Sequence, residues 1–81
     1  MGRTLQTINQ IILNEQRAFA DFRRALRRED QMLFDTLFAK ARRHTMAISQ
    51  ANHALPFEAI LLSMLIEQAR EIEQLKRSLD M

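Results

Sequence analysis

After Gly2 the chain contains no further glycine, and Pro56 is its only proline. These two residues are the strongest punctuators of backbone structure, so a chain nearly free of them has little to stop a helix. Apolar residues recur along two stretches at helical spacing. Leu5, Ile8, Ile12, Phe19, Phe22 and Leu26 form one seam; Leu61, Leu65, Ile72, Leu75 and Leu79 form the other. Steps of three and four place such residues on one side of an α-helix. The pattern predicts an all-α fold and leaves the chemistry open.

Three helices are expected in one domain over residues 1–81, a helical hairpin followed by a long C-terminal helix. Thr4 is the expected N-cap of the first, its hydroxyl accepting from an unpaired amide of the opening turn. That helix runs to Leu26, with Glu15 in the seam and Ile11 widening the apolar face. Arg27-Arg28-Glu29-Asp30 is a polar interval without Gly or Pro. A break near residues 28–31 is expected, with Asp30 capping a second helix that buries Leu33, Phe34, Leu37, Phe38 and Ala41. Leu26 and Leu33 stay in phase, so one continuous helix is the alternative. The later joint has a clearer cause: Ala51 to Pro56 fall out of pattern, and Pro56 suits the first position of a new helix. Glu58 then meets the positive end of the helix dipole, and the helix extends to about Leu79.

In that last helix Leu61, Leu65, Gln68, Ile72, Leu75 and Leu79 alternate steps of four and three. With Leu65 and Ile72 at heptad position a and Leu75 at d, Glu71 falls at g and Lys76 at the following e. A parallel partner would then pair Glu71 with Lys76 of the other chain. Packing on the helix's own chain is the other reading of the seam.

A chain of 81 residues buries only about 60% of the surface its unfolded form exposes. Disulfides and thiolate metal sites are excluded by the lack of cysteine. Only His44 and His53 remain as imidazoles, nine residues apart, so a metal staple is not expected. Self-association is the remaining device, and 47% hydrophobic content supplies material for it. With so thin a core the dimer is expected to be obligate, so that Ile72→Asp or Leu75→Asp unfolds the chain.

Charge is unevenly spread. Residues 1–44 hold nine Lys or Arg against five acids (+4), and residues 45–81 hold three against five (−2). Phe22-Arg23-Arg24-Ala25-Leu26-Arg27-Arg28 concentrates guanidiniums within two turns, with Arg17 behind them. Arginine forks match phosphate oxygens, so Arg17, Arg23, Arg24, Arg27, Arg28 and Arg43 form a candidate polyanion surface, extended by Lys40, Arg42 and His44 if the second helix folds back. The competing reading is a solvated face, because Asp21, Glu29 and Asp30 lie within pairing reach. No Trp or Tyr interleaves the arginines for base stacking.

No catalytic set can be assembled by spacing, and His44 reads as a capping or packing residue. Glu67, Glu71 and Glu73 read as charges on the polar side of the last helix, and Met32, Met46 and Met64 as core fillers. Gln31-Met32-Leu33-Phe34-Asp35-Thr36-Leu37-Phe38 is loosely similar to a sliding-clamp-binding peptide. Phe34 and Leu37 depart from that pattern, and the segment reads better as helix core. No run of about 20 apolar residues is present to span a bilayer, no signal-peptide order opens the chain, and Gln6 stands where myristoylation wants Ser or Thr.

The opening Met1-Gly2-Arg3-Thr4, the block from Phe22 to Gln31 with Phe34-Asp35 and Leu37-Phe38, and Glu58-Ala59-Ile60-Leu61-Leu62-Ser63 resemble a family of small archaeal helical proteins, a domain of unknown function. The resemblance implies an archaeal, cytoplasmic setting. It transfers no activity, ligand or catalytic residue. Relatives often have proline just after the position of Gln31, where this chain has Met32.

The expectation is therefore a non-catalytic interaction or regulatory protein without cofactor, metal or small-molecule substrate. It dimerises through the first and last helices, the last by Leu61, Leu65, Gln68, Ile72, Leu75 and Leu79, and binds a protein partner; the alternative is a nucleic-acid-binding protein using the arginines.

Overall fold

A computed structural model describes residues 5–51 and 55–80, all helix and short joints, with no strand among them. Thr4 and His53 lie outside the described residues. The order is α1 (Leu5–Ala18), α2 (Ala20–Ala25), α3 (Arg28–Ala41), a 3₁₀ turn (Arg42–His44), α4 (Thr45–Ser49) and α5 (Pro56–Leu79).

The expected first helix is divided. Phe19 leaves the α region at φ −101°, ψ 22°, separating α1 from α2. Its ring packs 4.9 Å from Phe57 and 6.3 Å from Phe22, so the kink turns an aromatic toward α5. The break expected at 28–31 falls earlier. Leu26 and Arg27 are both extended, with ψ of 157° and 155°, and Arg27 rather than Asp30 occupies the N-cap position of α3, without a side-chain cap. Glu29 and Asp30 instead lie in the first turn, where the dipole favours them.

Side chains reaching across the joint hold it in place of Gly or Pro. Gln31 Nε2 donates to the Leu26 carbonyl at 3.1 Å, and the Arg23 guanidinium grips both Asp35 oxygens at 2.8 and 2.7 Å. The Arg23 fork holds the Asp35 carboxyl below its ordinary pKa, despite an opposing push from burial. Gln31→Ala removes the bond to Leu26 and is expected to cost about 1 kcal/mol, read as a lower urea midpoint.

The second helix of the three-helix expectation is divided as well. It gives way to the 3₁₀ turn at Arg42–His44 and the short α4. α5 matches its expected bounds. Pro56 opens it, and the Glu58 carboxylate accepts from the Leu55 N–H at 3.1 Å, which satisfies one amide at its start.

The core is small: Ile8 and Ile12 from α1, Phe38 and Ala41 from α3, Ile48 from α4, and Ala59, Ile60 and Met64 from α5. Phe34 and Leu37 pack half-buried beside it, whereas Leu33, Met32 and Met46 are exposed. These three sit on the outer faces of their helices, contrary to the core roles expected of them. Met64 alone of the three methionines is buried. Residues 31–38 are helical with Phe38 buried, not the free segment a clamp-binding peptide needs.

Candidate functional site

The face of α5 that packs on its own chain consists of Ala59, Ile60, Ser63, Met64 and Glu67. The heptad stripe of Leu61, Leu65, Gln68, Ile72, Leu75 and Leu79 is offset from it by one residue, or about 100° around the axis. All six stripe residues are exposed, and Leu79 reaches 84%. Leu62 and Ile66 widen the bare surface. The seam legible in the sequence is thus not the face α5 uses within the chain.

At its first turns the stripe borders a cavity of about 210 Å³. All five phenylalanines, Phe19, Phe22, Phe34, Phe38 and Phe57, line it, and Leu61 stands at its rim, 43% exposed. The rings form a chain, Phe22 6.2 Å from Phe34 and Phe34 5.0 Å from Phe38. The cavity exists because the Phe19 kink and the Leu26–Arg27 joint fold α2 over α3.

A charged node lies further along α5. Glu67 is only 2% exposed, on the same face as Ile60 and Met64, and so is not one of the polar-side charges it was expected to be. Its Oε1 accepts from Arg43 Nη1 at 3.2 Å and its Oε2 from Arg70 Nη1 at 3.1 Å. His44 Nε2 lies 2.7 Å from Oε2. The hydrogen bond with His44 holds the Glu67 pKa below that of an ordinary carboxylate; burial pushes the other way, and Arg70 and Arg43 assist. One turn on, Glu71 is paired with Lys40 of α3. His44 therefore serves as a packing partner of a buried acid. Among the described residues, no three His, Cys, Asp or Glu side chains converge to hold a metal.

Four of the six candidate arginines, Arg23, Arg24, Arg27 and Arg43, already face acids. Arg43 belongs to the Glu67 node, some 15 residues beyond the start of α3, which is about 22 Å along a helix. Arg23 is committed to Asp35. Arg24 pairs with Asp21, and Arg27 lies 3.9 Å from Asp30, both on the exposed side. Among the described residues, Arg17 and Arg28 make no ion pair. Lys40 and His44, offered as extensions of a basic patch, face acids of α5.

The Glu67 node escaped sequence reasoning because its members are 23 and 24 residues apart and meet only through packing. One signal was available: Glu67 lies seven residues beyond Ile60 and three beyond Met64, on an apolar face. Among the described residues, no helix is long and apolar enough to cross a membrane. Residues 1–81 match a family described as a Domain of unknown function (DUF8156). No curated protein and no solved structure matches the chain.

Proposed function

The chain belongs to the DUF8156 family, from which no activity can be carried over, and we propose that it is a non-catalytic interaction protein that self-associates through the α5 stripe. The exposed stripe carries this reading. A monomeric protein of 9.5 kDa is expected to expose about 5,050 Å², and this chain exposes 6485 Å². The excess of about 1,400 Å² is more than the roughly 800 Å² that each partner buries in a standard interface. The Cα radius of gyration is 14.4 Å against about 12 Å for a compact domain of this length, and the core draws on α5 only as far as Met64.

Six apolar or amide residues in unbroken heptad register suit a helical partner with the same repeat, and a second copy supplies one. Met32, Leu33 and Met46 then remain bare on α3 and α4, where they offer a protein partner the flexible apolar contacts found at interfaces. An archaeal cytoplasmic setting, implied by the family resemblance, belongs to the same reading.

Light scattering with and without a random-sequence DNA duplex, at low and moderate salt, tests it. A dimer mass unchanged by DNA is the expected result. A monomer mass overturns the self-association. A mass increase with DNA that fades with salt, with a slope near −0.9 per phosphate contacted, and that Arg24→Ala with Arg28→Ala weakens on every sequence, makes the arginines a nucleic-acid surface instead.

A further inference from the structure

The self-association reading leaves open how the second copy lies. We propose that two α5 helices pair antiparallel, so that Leu79 of each copy caps the phenylalanine-lined cavity of the other. The inference rests on the α5 stripe being the dimer seam.

Two heptad helices running in opposite directions set each a position against a d position. Leu65, Ile72 and Leu79 are at a; Leu61, Gln68 and Leu75 are at d. Centred on residue 70, the antiparallel register sets Leu61 against Leu79 of the second copy, Leu65 against its Leu75 and Gln68 against its Ile72. No stripe residue is left over. Leu79, 84% exposed in the single chain, then arrives at Leu61, which is also the rim of the cavity.

The cavity fits that occupant. At about 210 Å³ it exceeds the ~150 Å³ apolar cavity that admits benzene, so a leucine side chain can enter. Its walls offer no hydrogen-bonding partner, so they suit an aliphatic side chain better than a hydrated one.

The charges bear on direction too. Parallel pairing relies on Glu71 reaching Lys76 of the second copy, but Glu71 is already paired with Lys40 of its own chain. Antiparallel pairing brings the two Glu71 side chains to one level, each with its own Lys40, so the seam gains no net charge there. It also lays Lys76 of one copy beside Leu62 of the other, where the lysine stem covers an exposed leucine.

The chain has no cysteine, so single-cysteine variants report direction without background. Leu61→Cys and Leu79→Cys chains are mixed and oxidised; Leu75→Cys is oxidised alone; light scattering on the reduced proteins gives the mass. The expected result is a dimer mass, a Leu61→Cys/Leu79→Cys cross-linked heterodimer, and little Leu75→Cys homodimer. Dominant cross-linking of Leu75→Cys to itself means parallel pairing and overturns the antiparallel arrangement, while the self-association stands. A dimer in which neither pair closes overturns it as well, and moves the seam elsewhere. A monomer mass overturns both readings.

Discussion

Leu75→Asp is expected to turn the self-associated protein into folded monomers, with the mass in solution halved and most of the helical signal kept. Each dimer holds Leu75 twice, and burying a leucine side chain is worth about 1.5–3 kcal/mol. Losing both removes about 3–6 kcal/mol, which raises the dissociation constant roughly 10²- to 10⁴-fold. The carboxylate left in an apolar seam adds to the loss. The fold is expected to survive because the core residues among those described, Ile8 to Met64, come from α1, α3, α4 and the first half of α5. Leu75, 64% exposed and 11 residues beyond Met64, lies outside that core, and only the distal turns of α5 should fray without a partner. Sedimentation over a dilution series, with circular dichroism at each concentration, reads both quantities. An unchanged mass removes Leu75 from the seam. Wholesale unfolding restores the obligate dimer that the chain's length alone suggests.

Where a joint has a local chemical cause, the sequence announces it. Pro56 and Glu58 act within one turn of their own backbone, and α5 begins at Pro56 as that chemistry predicts. The joint between α2 and α3 has no such cause. It depends on Gln31 reaching back to Leu26 and on Asp35 reaching Arg23, contacts that exist only once the helices have packed. The same difference separates the two surfaces of α5. Periodicity shows that Leu61 to Leu79 lie on one face, but it cannot say whether that face meets its own chain or remains bare. The face actually used inside, from Ile60 through Met64 to Glu67, ends on a charge and so scores poorly as a seam. What makes Glu67 acceptable there is Arg43, His44 and Arg70, and two of those three come from a segment more than 20 residues away.

That node gives the second large effect. Glu67→Gln keeps the length and volume of the side chain but replaces a carboxylate oxygen by an amide donor, which in either flip faces an arginine that is itself a donor, Arg43 or Arg70. A buried polar group left facing like partners loses its hydrogen bonds without regaining water. At pH 7 the variant is expected to show a larger fall in urea midpoint than Asp35→Asn, because Asp35 and Arg23 remain half in solvent. The dependence on pH follows from the sign of the shift. Glu67 has a folded-state pKa below its ordinary value of 4.5, so its contribution is full above that value and is lost as pH falls through the folded pKa. The Asp35 carboxyl is shifted the same way and adds to the acid limb. The native protein should therefore lose stability as pH drops below about 4.5, and Glu67→Gln, already without that contribution, should lose less over the same interval. Urea midpoints at pH 7 and pH 3 measure both differences. A variant as stable as the native protein at pH 7 would mean that burial costs Glu67 as much as its three partners return. The node would then serve to fix where α5 sits against the 3₁₀ turn, and not to stabilise the fold.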